Sequence, residues 1–465
     1  MMLDTVRIYL TRCQAFPDIM IVSTGPMSSS TTTAEPFKEN KPFGRLLASS
    51  AFETLGDGTI RMLLPLIAVS TLGAGTFHIG LLNALGLSAF LILGLPIGVL
   101  VDTFPRLKLM LLADILRAAL LLIIPALCFL GLLHLWQLFV IAGLLSICDV
   151  VFTSANGAAI PDLVGPRQVS TAYAQLQRVS SVASLGAPLI ATGVLKILAA
   201  PLALLISSFG YLISGLMLPR TPALETGTKK PPTPPFWASL RLGLLTTLQH
   251  PIMRQLLISG MLLNAATMLG NSVLAVYAMR DLGFQPATFA VLGIFGALGG
   301  LIAGLAAPKL LDLLGIGRLR ITATLLCIPA VSLQPLATIL PGNAFTWFAA
   351  SSFGWAFALI LASVAGAGII PQLCESSILG TVMASNRFFT LGIMPIASIC
   401  GGSVAILSGP EPILWAWAVL AGCSALPIVF SPIRSWREVP KSSTISTTKN
   451  RVSSKEDTLH RNAAK

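Results

Sequence analysis

The chain has 465 residues, of which 54% are hydrophobic and only 10% are charged, whereas an average soluble domain has about 25% charged residues. About twelve membrane-spanning helices of roughly 20 residues each would use this apolar supply, so the composition excludes a soluble, a disordered or a disulfide-stapled protein. Long apolar runs without alternating polarity also exclude a membrane β-barrel. In such a chain the formal net charge of +12 reports topology and predicts no nucleic-acid partner.

The chain opens with a polar segment rich in Ser and Thr. Charged residues are scattered through its first 25 positions, so we expect no secretory signal, and the first spanning helix must direct insertion. Met27 begins a typical short polar tail, so translation starts at Met1 or at Met27. We expect residues 1–45 to form a disordered tail in the cytoplasm, because this composition cannot bury a core.

Charges, prolines and glycines divide the rest of the chain into twelve apolar runs. A first bundle of six helices is predicted over 46–219, and a second over 251–432. The segment between them, 220–250, carries a PPTPP stretch and then a predicted amphipathic helix on the inner surface. A basic tail, 433–465, is expected to be disordered. The runs lie near 49–72, 77–101, 107–130, 136–159, 172–196, 201–219, 254–279, 286–308, 319–340, 344–366, 378–405 and 411–431.

Lys and Arg are distributed unequally between alternate loops. With both termini inside, 24 of them lie on the inner side, Arg318 and Arg320 included, and only Lys196 and Arg280 lie outside. This bias predicts cytoplasmic termini and an even number of spans. Similar turns and glycines also recur at near-constant offsets of 206 to 210 residues, such as Leu72-Gly73 with Leu282-Gly283. The recurrence indicates a duplication, with two parallel halves facing each other.

The sharpest local motif is GVLVDTFPRLK, Gly98 to Lys108, at the inner end of the second predicted span. It resembles the loop signature of the major facilitator superfamily: Gly98, Leu100, Asp102 and Arg106 match in place, while Thr103 and Pro105 depart from the pattern. LLADILRA at 111–118 and IPDLVGPRQVSTAY at 160–173 are similar to the exporter branch that includes the enterobactin exporter and macrolide efflux pumps. The resemblance covers about residues 45–432 and implies an all-α membrane fold of two pseudo-symmetric six-helix bundles.

In this loop an acidic residue can latch the inner side by binding the start of a facing helix. Asp102, flanked by Arg106 and Lys108, is the predicted latch, and its partner is expected near Ser376 and Ser377. The alternative is that Arg106 and Lys108 only mark the cytoplasmic side. Exporters of this superfamily also resemble one another in a Gly-Pro motif of the fifth helix. Here we expect bending at Gly186 and Pro188, and at their counterparts Gly392 and Pro395.

Charged residues inside the predicted spans are the strongest functional signal, because each costs several kcal/mol unless it is paired or wetted. Glu53, Asp57 and Arg61 are spaced i, i+4, i+8 and must share one helix face. We expect Asp57 to be the main proton carrier, Glu53 the second, and Arg61 the partner of Asp57. A wider charge network is predicted from Asp114 and Arg117, an i, i+3 pair that favours a static ion pair, and from Asp149, Arg178 and Arg387.

Three functions are consistent with these patterns. Proton-driven export of an amphipathic small molecule, a drug or a siderophore-like metabolite, is the leading prediction, with a monomer in the cell membrane as the functional unit. Cavity amides such as Asn83, Asn156 and Asn271 would read the substrate. The second is uptake of a small metabolite by facilitation or symport. The third, a polytopic enzyme, is disfavoured because no nucleophile, base or metal ligands converge. No metal and no cofactor are expected.

Overall fold

The protein is built from helices joined by short loops. The computed structural model describes residues 40–164, 168–221, 236–374 and 376–438. The predicted tails and the PPTPP stretch lie almost entirely outside these residues. The first half contains α1 (Lys41–Ser70), α2 (Thr76–Thr103), α3 (Arg106–Phe129), α4 (Leu135–Val164), α5 (Val169–Leu195) and α6 (Ala200–Met217).

The second half follows a short helix, α7 (Phe236–Gln249), which occupies the predicted amphipathic segment. A π-helical turn, Tyr277–Asp281, extends the first long helix of this half. The remaining helices are α8 (Pro251–Val276), α9 (Pro286–Leu336), α10 (Ala344–Ala367), α11 (Ile369–Leu373), α12 (Ser376–Ser408), α13 (Glu411–Cys423) and α14 (Leu426–Val429).

The described helices account for twelve membrane crossings. Ten helical segments are long and apolar enough to span a bilayer, and the long helix α9 is one of the ten. A 51-residue helix would be about 77 Å long, more than twice the roughly 30 Å of a hydrocarbon core. Because Gly315 has a φ of 75° inside α9, residues 286–314 and 316–336 are separate crossings. The twelfth is α1, a 30-residue helix that carries Glu53, Asp57 and Arg61. The all-α membrane fold is therefore as predicted.

Two helix boundaries differ from the sequence prediction. α1 begins at Lys41, within the segment assigned to the disordered tail, because the Asn40 side chain accepts a hydrogen bond from the Phe43 amide at 3.1 Å and caps the helix. The Asn40 amide also donates to the Leu163 carbonyl at 3.1 Å, which fixes this start to the end of α4. The predicted loop between 308 and 319 is helical up to the break at Gly315. The domain boundaries themselves stay a prediction.

The turns after the first helix of each half have the same backbone conformation. Gly73 has a φ of 64° and Gly283 a φ of 68°, a left-handed conformation that glycine adopts without steric cost. These two glycines are the pair that the predicted repeat relates. The chain therefore uses one turn geometry twice, as expected of duplicated halves.

The halves close against each other at the end of the bundle that holds these turns. The Thr76 hydroxyl of α2 donates to the Gly402 carbonyl of α12 at 3.1 Å, and the Arg280 guanidinium donates to the Gly73 carbonyl. Close backbone approach needs small residues here, since a Cβ on Gly402 would lie 3.0 Å from the Phe77 Cα. This is the end that the charge distribution predicts to be outside.

Candidate functional site

A buried arginine in the middle of α3 organises the site. Arg117 is 1% exposed. Its Nη1 donates to Glu53 Oε1 at 3.2 Å and to Asp57 Oδ1 at 3.4 Å, and its Nη2 donates to the Cys148 carbonyl at 3.4 Å. A guanidinium has several donors in a fixed fork, so one side chain connects α1, α3 and α4. Both carboxylates face it because i, i+4 spacing places them on one side of α1.

Two aromatic rings enclose the guanidinium. The Arg117 Cζ lies 4.9 Å from the Phe152 ring centre and 4.8 Å from that of Tyr211, distances at which a cation is attracted to the ring face. The Tyr211 hydroxyl donates to Asp57 Oδ1, so α6 joins the same group. Gly56 permits this contact, since a Cβ there would lie 3.1 Å from the Tyr211 Cζ.

A second ion pair lies beside the first. Arg61 Nη2 is 4.0 Å from Asp149 Oδ2, and the Thr153 hydroxyl donates to Asp149 Oδ1 at 3.2 Å. Carboxylate oxygens of Glu53, Asp57 and Asp149 all lie within 4.8 Å of one another. Like charges this close repel, and the two guanidinium groups compensate them.

This arrangement corrects two predictions about pairing. Arg61 pairs with Asp149, and the partner of Asp57 is Arg117, because the Arg117 side chain extends from α3 to the α1 face. The predicted Asp114–Arg117 ion pair is not formed. Asp114 is fully buried, and among the described residues its carboxylate oxygens have no hydrogen-bond partner of normal geometry. It lies against α6, where a Cβ on Gly215 would be 3.7 Å from the Asp114 Cβ.

Two further members of the predicted charge network lie apart from it. The Arg387 guanidinium is exposed and lies over the Phe90 ring at 5.4 Å. Arg178 is also exposed. An exposed charged side chain needs no buried partner. A position in the middle of a predicted span therefore did not by itself identify the members of the charge network.

At the predicted gating loop the structure describes Arg106 and Lys108. The surroundings of Gly98 and the side chains of Asp102, Ser376 and Ser377 lie outside the described part. Arg106 is 4% exposed, forms an ion pair with Asp162 and donates to the Ala158 carbonyl at 2.9 Å. It therefore fastens α3 to α4 within the first half. Lys108 is exposed. The latch at Asp102 stays a prediction.

The glycines predicted to bend helices are tightly packed. A Cβ on Gly186 would lie 2.9 Å from the Leu55 Cδ2, and one on Gly392 would lie 3.0 Å from the Leu91 Cδ1. Pro188 and Pro395 lie inside α5 and α12, and Pro188 touches the position of Gly293 in α9. Close approach of helices explains these residues, while bending stays a prediction.

A cavity of about 220 Å³ opens next to the ion pairs. Asp57, Arg61, Arg117 and Asp149 supply its charged wall, and Tyr211 supplies a phenol. Helices of both halves contribute to it. The other lining residues are mainly apolar, with two amides: Ile60, Leu64, Pro65, Leu82, Asn83, Gly86, Leu87, Ala142, Leu145, Ser146, Met268, Asn271 and Met394. Of the predicted amides, Asn156 instead donates to Ser50 Oγ at 3.0 Å in the protein interior.

Comparison with known proteins decides the family. The model of the Major Facilitator Superfamily matches residues 46–390. The chain belongs to this superfamily. An MFS-type transporter of Bacillus subtilis (strain 168), YvqJ, is 27% identical over 253 residues, which cover 53% of this chain and 59% of that protein. The match thus spans less than two thirds of this relative. The superfamily identifies the chain as a multi-pass membrane protein of the transporter type.

Solved structures of several transporters share the fold. A POT family transporter bound to 5-aminolevulinic acid has a TM-score of 0.68 at 14% identity, over 86% of this chain and 98% of that one. A bacterial homologue of the iron transporter ferroportin, in an inward-facing state, gives 0.65 at 15% identity, over 85% and 100%. The nucleoside transporter NupG gives 0.65 at 14% identity, over 84% and 98%.

The sequence analysis missed Tyr211 in the site and the burial of Arg320 in the second half of this MFS protein. Tyr211 is one of four tyrosines in the chain, and a hydroxyl inside an apolar span was the signal available for it. Arg320 was assigned to an inner loop but is 8% exposed. It donates to the Ala362 carbonyl at 3.2 Å and to Ser259 Oγ at 3.5 Å, which links α9 to α8 and α10.

One titratable group outside the spans is shifted by its surroundings. His250 lies between α7 and α8, and burial lowers its pKa because desolvation disfavours the charged imidazolium. Its Nδ1 has no hydrogen-bond partner. The ring is therefore neutral at pH 7.

Proposed function

We propose that this chain is a proton-coupled exporter of an amphipathic small molecule that works by alternating access. The observation that carries the proposal is the contact of Arg117 with Glu53 and Asp57, at the wall of a cavity that both halves line. An ionisable group at this depth is expensive and marks a transport or proton pathway in membrane proteins.

Proton binding at Asp57 would weaken several contacts at once. The ionised carboxylate receives hydrogen bonds from Arg117 and Tyr211, and hydrogen bonds to charged groups are worth about 1.5–3 kcal/mol each. A proton on Asp57 removes the charge that these donors stabilise, so α1 is held less firmly to α3 and α6. Protonation thereby favours whichever conformation does not need these contacts, which is what coupling requires.

The cavity lining supports an amphipathic substrate. Apolar side chains form most of the wall, and Asn83 and Asn271 offer amides beside carboxylates and guanidinium groups. Its volume, about 220 Å³, is below the roughly 300–1,000 Å³ of sites that enclose drug-sized ligands. In this conformation the cavity fits a small solute or one end of a larger one.

Export, as opposed to uptake, is supported by the resemblance of 111–118 and 160–173 to the exporter branch. The direction also depends on orientation, which we propose to be cytoplasmic for both termini because of the biased Lys and Arg distribution. Reporter fusions after Arg45 and Arg434 test this: both should report the cytoplasm, and an external signal from either would contradict the topology.

The coupling experiment uses purified protein in proteoliposomes with a pH-sensitive dye inside. Export substrates are first found in inverted vesicles with a panel of lipophilic cations, macrolides and siderophores. In the proteoliposomes, substrate should drive proton flux in the wild type and not in Asp57→Asn, while substrate binding is retained. Glu53→Gln should have a weaker effect.

Asp312→Asn is the matched control, because Asp312 is an exposed acid of α9 far along the chain from the cluster. This variant should couple like the wild type. Normal proton flux in Asp57→Asn would move the carrier to another residue, most directly Glu53 or Asp149. Flux that needs sodium instead of a proton gradient would overturn proton coupling, and accumulation only in right-side-out vesicles would favour uptake.

A further inference from the structure

Asp114 is a buried acid that the mechanism above does not use. It lies on α3, one turn from Arg117 and nearer to the start of the helix. It is fully buried, and within the described part of the chain neither Oδ1 nor Oδ2 has a hydrogen-bond partner of normal geometry, although the Ser214 hydroxyl lies close enough to act on its charge. On one side it faces Gly215 of α6, which has no side chain. No described residue forms an ion pair with Asp114, because both Nη atoms of Arg117 are bonded elsewhere.

A carboxyl group in this position favours its neutral, protonated form. Transfer of an unpaired charge into a low-dielectric interior costs far more than neutralising it, so such groups bind a proton instead. The groups nearby offer only partial compensation. Those that act on Asp114 are Arg117, Asp57 and the Ser214 hydroxyl, with the Cys148 thiol of α4 also close to it. The one cation among them, Arg117, already serves two carboxylates.

A layer of small polar side chains lies on the same side of the ion pairs as Asp114. Ser214 Oγ is 2.9 Å from Ser49 Oγ, and the Asn156 amide donates to Ser50 Oγ at 3.0 Å. Ser49 and Ser50 lie one turn before Glu53, toward the start of α1. The layer therefore extends from Asp114 toward the end of the bundle that the charge distribution predicts to be cytoplasmic.

We propose that Asp114 is a second proton-binding site, and that Arg117 exchanges between the α1 carboxylates and Asp114. The inference rests on the proposed proton coupling and adds a second station to it. Residues three apart on a helix are neighbours, about 5–6 Å between Cβ atoms, so Arg117 reaches Asp114 by a change of side-chain rotamer. One guanidinium then compensates either site but not both.

The exchange conserves protons and charge. A proton from the cavity binds Asp57 or Glu53, and the neutral acid releases Arg117. Arg117 turns to Asp114, which gives up its proton through the Ser214 and Ser49 hydroxyls to water at the predicted cytoplasmic end. One proton enters and one leaves, and Arg117 is paired before and after. The net charge of the buried groups does not change, although the α1 carboxylate that stays ionised gives up its contact with Arg117, so the step limits the penalty of isolating a charge to that one group.

The test is infrared spectroscopy of the whole purified protein at pH 7, in lipid, without substrate. A protonated carboxylic acid absorbs at a C=O frequency separate from that of ionised carboxylates. The wild type should show this band, and Asp114→Asn should lack it. Asp312→Asn is the control and should keep it. Asp114→Glu should move the band, which covers the case in which Asp114→Asn does not fold.

A double variant tests the exchange of Arg117 between the α1 carboxylates and Asp114. In the double variant E53Q/D57N, Arg117 loses both carboxylate partners and should pair with Asp114, so the band should disappear although Asp114 is still present. In proteoliposomes Asp114→Asn should slow substrate-driven proton flux about tenfold or more, the factor that corresponds to one hydrogen bond to a charged group.

A band that Asp114→Asn does not remove would overturn the second site. A band that persists in the double variant would overturn the exchange. Both infrared measurements are made without transport, so their outcome does not depend on the proposed function. A wild type that shows no proton flux but has the Asp114 band would contradict proton coupling, while the assignment of a protonated Asp114 would stand.

Discussion

The phenol of Tyr211 offers a way to perturb Asp57 without changing its charge. Tyr211→Phe removes only the hydroxyl that donates to Asp57 Oδ1. The ring stays, so the contact with the Arg117 guanidinium at 4.8 Å and the packing against Gly56 are kept. The variant therefore isolates one hydrogen bond to the proposed proton carrier.

The size of the effect follows from that one bond. A hydrogen bond to a charged group contributes about 1.5–3 kcal/mol, and about 1.4 kcal/mol corresponds to a tenfold change in rate. The hydroxyl is one of the two donors that bind the Asp57 carboxylate, so its loss weakens the link between α1 and α6. We expect substrate-driven proton flux to fall about tenfold to a hundredfold in Tyr211→Phe.

The assay is substrate-driven proton flux in proteoliposomes, recorded from pH 5 to 9. Tyr277→Phe is the matched control, because Tyr277 is also buried, at 4% exposure against 1% for Tyr211, and it lies in the second half of the chain, outside the Arg117 cluster. Its profile should overlay the wild type. A Tyr211→Phe profile that also overlays the wild type, at equal expression, would refute the role of this hydrogen bond at Asp57.

Three other variants test separate parts of the structure. Arg117→Met should lower the free energy of unfolding by about 3–5 kcal/mol, because it leaves buried carboxylates unpaired; thermal unfolding in detergent measures this, with exposed Arg387→Met as the control. Gly80→Ala should weaken closure between α2 and α12, since its Cβ would meet the Ser398 carbonyl. Gly143→Ala is the control and should leave closure unchanged, because Gly143 has open space around it. Accessibility of introduced cysteines at the closed end distinguishes the two variants. Asp102→Asn should lose turnover at normal expression, and normal transport would contradict the latch.

Sequence alone predicted the elements of this fold well, and for an identifiable reason. Apolar runs bounded by charges and turn residues place most helices within a few positions, because the bilayer requires every span to be long, apolar and internally hydrogen-bonded. The exceptions are local. α1 starts early because Asn40 caps it, and residues 309–314 stay helical because the turn at Gly315 alone reverses the chain.

The candidate site was predicted only in part. Helix periodicity correctly placed Glu53 and Asp57 on one face, since that depends on one helix. Which cation faces them depends on how α3 packs against α1, and no periodicity contains that information. The i, i+3 spacing of Asp114 and Arg117 favoured a pair that tertiary contacts override, as they extend Arg117 toward α1.

The two halves share an arginine site but differ in its partners. In the first half, Arg117 of the third helix binds Glu53 of the first helix and the Cys148 carbonyl of the fourth. In the second half, Arg320 binds Ser259 and the Ala362 carbonyl of the corresponding helices, and Ser259 lies 206 positions after Glu53, the same offset that relates Gly186 to Gly392.

This difference indicates separate roles for the two duplicated halves. A serine at pH 5 to 9 neither gains nor loses a proton, so protonation can loosen the arginine site of the first half and not that of the second. The second half also contributes only uncharged side chains to the cavity, namely Met268, Asn271 and Met394. If transport is proton-coupled as proposed, proton sensing belongs to the first half, while the second supplies an uncharged wall against which a substrate can bind in either protonation state.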